Sequence, residues 1–251
     1  RYPSSQMGAI ALIRQAFLDA RWYEARPRPA EIDAILATLA QQLKGRMVFE
    51  AGDRNEVLRW ARVLDEFKLP GIIKGAGDEY ARLATIKALG LPLLVPFAQP
   101  EAYDVEDPYD ALEVSFARLK HWELAPYNAM MLDTARIPFA LTTHGRKDLK
   151  ELWKDLRKLV ACGLDSTRAV ELLTTDPARL FGVDDRLGAL MPGMVANFLI
   201  TSKHLLHEKN IQYHYEQPLE LGGVTKYPDF TIEDDDTGIT YYWEHCGLLH
   251  D

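Results

Sequence analysis

The sequence is poor in cysteine, in basic residues and in long apolar runs. Its two cysteines, Cys162 and Cys246, lie far apart without zinc-type spacing, so two reduced thiols are expected rather than a disulfide framework. There are 29 Lys and Arg residues against 37 Asp and Glu, and this net charge of -8 argues against a nucleic-acid binder. No apolar run approaches the ~20 residues of a membrane span. These absences favour a cytoplasmic protein that does not enter a membrane.

The composition that remains is ordinary for a globular protein. Hydrophobic residues make up 47% and charged residues 26%, which suits one large domain or two small ones. The N-terminus, Arg1-Tyr2-Pro3-Ser4, has neither an initiator methionine nor a signal-peptide core, and indicates an interior cut. No internal repeat of solenoid period is found.

Short apolar runs alternate with amphipathic helices along most of the chain. The runs predicted to be buried strands are 47–50, 71–74, 91–95 and 138–142, and the helices predicted before and between them include 29–44, 55–67, 79–89 and 109–120. Strands separated by helices and short loops predict a parallel α/β sheet. After Phe181, glycine and proline turns and alternating aromatic and polar residues indicate a β-rich C-terminal segment.

Several blocks of the sequence resemble imidazolonepropionase-like amidohydrolases. They are 2–15, beginning Tyr2-Pro3-Ser4-Ser5-Gln6; 119–128 and 137–143, which are similar to the approach to strand eight; and 169–183 with 187–200, which are similar to the closing segment of the barrel. Residues 1 to about 201 therefore resemble the second half of an amidohydrolase barrel.

This resemblance implies a fold and an activity. Residues 1–183 would form a partial (β/α) barrel of the TIM type, about strands 5–8, and residues 184–203 would begin a small β-domain. Enzymes of this family use one or two divalent metals such as zinc to activate water, here for attack on C–N bonds of small amides or cyclic amides. Because a full barrel needs eight strands, the chain is expected to dimerise, to pair with a missing N-terminal segment, or to aggregate.

Three metal-ligand positions of the family are substituted. Glu50 and Lys74 stand where the family has histidines on strands five and six, and His144 stands where it has the aspartate of strand eight. An ammonium at position 74 repels a bound cation, so we predict a barrel without the usual metal. Either Glu50 or His144 is then a general base, with Lys74 pairing with it or holding an anion, or the three form a salt-bridged relic on an inert scaffold.

The last segment has a different resemblance. Residues 204–251 resemble a fragment of the restriction-endonuclease-like nuclease domain attached to some helicases, in which Asp229 and Glu244 would share a magnesium ion on a β-hairpin. The lysine usual in that family is Cys246 here. The alternatives to a hydrolase are therefore a metal-dependent nuclease module, in which these acids are catalytic, or a non-catalytic partner chain, in which they are exposed acids on a hairpin.

Overall fold

The computed structural model describes residues 3–26, 32–146 and 151–197, together with the backbone of five strands between residues 212 and 243. Its helices are α1 (Gln6–Ala25), α2 (Ala34–Gln42), α3 (Arg54–Phe67), α4 (Leu83–Leu89), α5 (Pro108–Glu113), α6 (Phe116–Leu124), α7 (Asn128–Thr134), α8 (Leu152–Ala161), α9 (Ser166–Glu171) and α10 (Thr175–Phe181). The strands of the first part are β1 (Met47–Glu50), β2 (Gly71–Lys74), β3 (Leu93–Pro96) and β4 (Phe139–Thr142). No helix of the described ranges is both long and apolar enough to cross a membrane.

A parallel sheet is the centre of this part of the chain. Its strands follow the order β1-β2-β3-β4, with every neighbouring pair parallel and Glu50 in register with Lys74. This confirms the predicted α/β fold with a partial TIM-type barrel, and each strand lies within two residues of its predicted range. Among the described residues the sheet is open, with β1 and β4 as its edges.

The core lies between the sheet and its helices. Ile72 and Ile73, adjacent on β2, are both fully buried, as expected for a strand whose two faces are covered. Helix α3 buries Val57, Ala61 and Leu64, whose spacing of three or four residues places them on one face. Asp53 caps this helix by accepting hydrogen bonds from the backbone N–H groups of the two residues after Arg54.

Three predicted helices differ in their bounds. The helix predicted over 109–120 is two helices, because Ser115 accepts a hydrogen bond from Arg118 N and starts α6 as a new helix. The helix predicted over 79–89 begins as a 3₁₀ turn, Glu79–Arg82, before α4. Helix α2 starts at Ala34 behind the capping residue Asp33, and the earlier predicted start lies partly outside the described residues.

The C-terminal strands confirm the predicted β-rich segment. They are β5 (Gln212–Tyr215), β6 (Leu219–Leu221), β7 (Val224–Lys226), β8 (Phe230–Asp234) and β9 (Ile239–Trp243). Strands β5, β8 and β9 form one antiparallel sheet, and β6 pairs with β7. Asp229 and Glu244, the two acids predicted for a nuclease site, lie outside the described residues.

Candidate active site

The predicted site residues lie at the carboxyl edge of the sheet. Glu50 and Lys74 are the last residues of β1 and β2, and His144 lies two residues after the end of β4. In a parallel sheet the carboxyl ends of all strands meet at one edge, which is where barrel enzymes place their chemistry. The fold thus places the three residues on the same side of the molecule.

Glu50 and Lys74 form an ion pair across neighbouring strands. Lys74 Nζ donates to Glu50 Oε1 at 2.7 Å, with the lysine side chain 15% exposed and the glutamate side chain 64% exposed. The hydrogen bond from Lys74, its positive charge and the charge of His144 lower the pKa of Glu50, while slight burial opposes them. Glu50 is therefore held as a carboxylate.

His144 lies in an exposed turn, and the His144 backbone N–H donates to Thr142 Oγ1 at 3.3 Å. Two residues later Arg146 forms an ion pair with Asp155 of α8, and both side chains are largely buried. The Arg146 guanidinium also lies 5.8 Å from the centre of the Phe97 ring. These contacts fix the base of the turn and leave the imidazole free to meet solvent.

Two of the three residues are paired with each other, which bears on whether they could hold a divalent metal. Lys74 Nζ lies within hydrogen-bonding distance of Glu50 Oε1. A cation bound by that oxygen would therefore lie against the Lys74 ammonium and be repelled by it. An ammonium has no lone pair to donate to a metal. Across the described ranges no group of three or more His, Cys, Asp or Glu side chains is arranged to hold a metal ion.

A small cavity of about 180 Å³ adjoins Glu50 on the side of α1 and α3. Ile10, Ile13 and Trp60 form much of its wall, and Trp60 Nε1 donates to the backbone carbonyl of Glu50 at 2.8 Å. Packing against this wall therefore holds the end of β1 in place.

The loop after Lys74 is built around a buried carboxylate that was not singled out from the sequence. Glu79 is fully buried, and its Oε1 accepts hydrogen bonds from the backbone N–H groups of Ala76 and Gly77 at 2.8 and 3.2 Å. Its Oε2 accepts from Asn128 Nδ2 at 2.6 Å. A side chain at Gly75 would collide with Glu79 Oε1, so glycine is required there by close approach.

The same network reaches α6. Asn128 Oδ1 accepts from the backbone N–H of Tyr80 at 2.8 Å, and the Tyr80 hydroxyl lies 3.1 Å from His121 Nδ1. Burial, followed by the charge of Asp78, raises the pKa of Tyr80, so the phenol keeps its proton. The only local signal for this network is the pair of glycines and acids directly after a predicted strand, in Gly75-Ala76-Gly77-Asp78-Glu79.

Comparisons with known proteins agree with this fold. A family model described as the amidohydrolase family matches residues 124–240. A crystal structure of an amidohydrolase from Thermotoga maritima MSB8 is similar over 82% of this chain, with 19% sequence identity and a TM-score of 0.63. The chain spans about half of that protein, 53% of its length. No curated protein matches the sequence.

The structural likeness shows the fold, and the family match covers residues 124–240, which is less than half of the chain. The imidazolonepropionase-like subtype and the nuclease-like resemblance of residues 204–251 stay predictions.

Proposed function

We propose that the chain is an amidohydrolase-type hydrolase of C–N bonds in small amides or cyclic amides, with a site that works without the family's metal ligands at three positions. The observation that carries the proposal is the Glu50–Lys74 ion pair at the carboxyl edge. By the sequence resemblance, these two residues stand at positions where the family has metal ligands. The predicted cytoplasmic location is kept as part of the proposal.

The charges divide the roles among the three residues. Because the pKa of Glu50 is lowered, its carboxylate is a weak base, and its role is to hold the Lys74 ammonium in place. An imidazole is the usual general base near neutral pH, and His144 is the exposed imidazole at this edge. We therefore assign the base to His144 and the stabilisation of negative charge to Lys74.

The reaction then balances without further reagents. His144 takes a proton from water as the water oxygen bonds to the amide carbon, and the Lys74 ammonium stabilises the negative charge that develops on the carbonyl oxygen. When the C–N bond breaks, the protonated imidazole returns the proton to the leaving nitrogen. We infer that further barrel strands at the open edge of β1, from a preceding segment or from a second copy of the chain, enclose the site.

Metal content and amidase activity test the proposal together. The unmodified chain is expected to hydrolyse a small cyclic amide such as hydantoin after exhaustive chelation, and to contain no stoichiometric zinc. His144→Phe is expected to abolish this activity while the chain stays folded, because the His144 side chain is exposed. Stoichiometric zinc in the unmodified chain would contradict the metal-free site.

The triple change Glu50→His, Lys74→His and His144→Asp tests the alignment independently. It restores the family's residue types at three positions and is expected to raise zinc binding over that of the unmodified chain. An unchanged zinc content would show that these positions do not converge as ligands.

A further inference from the structure

A second cavity, of about 190 Å³, lies between the carboxyl ends of β2, β3 and β4. Its walls include Ala76 and Gly77, which follow Lys74 by two and three residues, and Leu141, which precedes His144 by three. It is smaller than the roughly 300–1,000 Å³ of pockets for drug-sized ligands, so its ligand has few non-hydrogen atoms.

The lining of this cavity is uncharged. Among the described residues that form it there is no lysine, arginine, aspartate or glutamate. Pro96, Phe97 and Pro100 are apolar residues of its wall. A charged ligand would lose its hydration here without an opposite charge in return, so the cavity suits a neutral molecule.

Gln99 has a side-chain oxygen that accepts no hydrogen bond from the described residues. Its Nε2 donates to the backbone carbonyl of Phe97 at 2.9 Å, while its Oε1 is buried and has no hydrogen-bond partner among the described residues. Buried polar atoms are nearly always hydrogen-bonded, and an exception in a cavity wall points to a missing donor.

His121 supplies the second polar contact. Its ring stacks on that of Tyr80 with centroids 6.1 Å apart and an angle of 14°, and its Nδ1 lies 3.1 Å from the Tyr80 hydroxyl. If the phenol donates to Nδ1, the ring proton lies on Nε2 and is available to a ligand carbonyl. The tyrosine thus sets the orientation of the imidazole and its donor.

We propose that this cavity is a recognition subsite for a small neutral cyclic amide or imide, whose N–H is accepted by Gln99 Oε1 and whose carbonyl accepts from His121 Nε2. The class of ligand in this inference rests on the proposed function. The cavity would be the part of the site that selects substrates with a free N–H. His121 and Gln99 are binding residues in this scheme, and Tyr80 is a positioning residue.

Succinimide and N-methylsuccinimide are a matched pair of probes, because they differ by the one N–H. Dissociation constants for the full chain, measured by NMR titration, are expected to favour succinimide by about tenfold, the loss typical of one unmet hydrogen bond. Equal affinities, or no binding of succinimide at any concentration that leaves the chain folded, would overturn the proposal. This comparison uses unmodified protein and does not depend on a variant that folds.

Variants then locate the effect. Gln99→Leu is expected to reduce the preference for succinimide to within about twofold by removing the acceptor, and Gln99→Glu, which keeps an acceptor oxygen, to retain part of it. Tyr80→Phe is expected to weaken both imides alike, because it frees the imidazole to which both ligands' carbonyls bind. A preference that survives Gln99→Leu would overturn the assignment of Gln99.

The failure of this subsite and the failure of the proposed function are distinguishable. Selective binding of succinimide without hydrolysis of any cyclic amide would retain the subsite and reject the hydrolase. Hydrolysis that treats both imides alike would retain the hydrolase and reject the subsite. His144→Phe is expected to leave the imide preference unchanged, since His144 does not line the cavity.

Discussion

The two edges of the parallel sheet differ in how they use charge and backbone. At the amino edge β2, β3 and β4 each begin directly after a proline, Pro70, Pro92 or Pro138. Each proline carbonyl accepts a hydrogen bond from the preceding strand, from Met47 N, Ile73 N and Leu93 N respectively. Proline has no N–H to donate, so it suits the first position of a strand while its carbonyl still extends the ladder.

At the amino edge, one network of ion pairs centred on Arg168 joins neighbouring helices. Arg168 of α9 pairs with Asp133, Glu171 and Asp176 at 2.8, 2.8 and 2.5 Å. Partial burial acts to lower the pKa of Arg168, but its hydrogen bonds to these carboxylates and their negative charge raise that pKa. Such mutual pairing holds α7, α9 and α10 together.

The carboxyl edge has a different arrangement. Lys74 is largely enclosed while its partner Glu50 is mostly exposed, so one member of the pair faces solvent. His144 and a neutral cavity lie along the same edge. The comparison agrees with the general division in barrel enzymes, where the amino face serves stability and the carboxyl face serves chemistry. Substitutions at the two edges are therefore expected to have different consequences.

The largest expected effect is a loss of stability from a substitution at the carboxyl edge. It is an exception to the contrast between a structural amino edge and a chemical carboxyl edge, because Glu79 is a structural residue. Glu79→Ala would leave two backbone N–H groups and Asn128 Nδ2 without their acceptor, and is expected to lower the free energy of unfolding by about 4 kcal/mol. Chemical denaturation measures the change. The exposed Glu123→Ala is the control, with a change of less than about 0.5 kcal/mol. A similar small change for Glu79 would mean that the loop does not depend on it.

Lys74→Met sharpens the contrast. The methionine keeps much of the side-chain volume and removes the ammonium, so kcat/KM for a cyclic amide is expected to fall by about 100-fold while the fold is retained. The matched control is Lys68→Met, which removes an exposed lysine paired with Asp65 at 2.6 Å, away from the site. Equal losses in both variants would remove Lys74 from the proposed mechanism.

Arg168→Met is the corresponding change at the amino edge. Among the described residues it would leave Asp176, which is mostly buried, with the longer contact to Arg179 at 3.2 Å as its remaining ion pair. We expect a loss of about 2 kcal/mol in the free energy of unfolding, with kcat/KM for the cyclic amide unchanged at temperatures where the variant is folded. A specific loss of activity would show that the two edges are coupled.

The smallest expected effect is the pH dependence of the Glu50–Lys74 pair. Because the pKa of Glu50 is lowered on folding, the pair's contribution is fully present above the ordinary glutamate pKa and is lost as pH falls through the lowered value. The Tm difference between the unmodified chain and Glu50→Gln is therefore expected to shrink as the pH falls from about 6 to about 3. It stays small throughout, since Glu50 is exposed. A difference that grows on acidification would contradict the assigned direction of the shift.

Local patterns were sufficient to predict the sheet. The apolar run Gly71-Ile72-Ile73-Lys74 is bounded by a proline and a glycine, and its length suits a strand buried on both faces. Helix breaks were harder, since the capping role of Ser115 depends on a single hydroxyl inside a continuous helical pattern. Glu79 was not predicted because its partner Asn128 is 49 residues away and belongs to another helix.

By itself the sequence determined the strands, the parallel α/β class and the placement of Glu50 and Lys74 at strand ends, because periodicity and turn residues act over a few neighbouring positions. Only the tertiary structure decided that Lys74 meets Glu50 across 24 residues, that Glu79 is buried with its hydrogen bonds met, and that a neutral cavity lies beside them. These outcomes depend on strand register and on helices from distant parts of the chain, since a side chain's charge, burial and partners are properties of the packed fold.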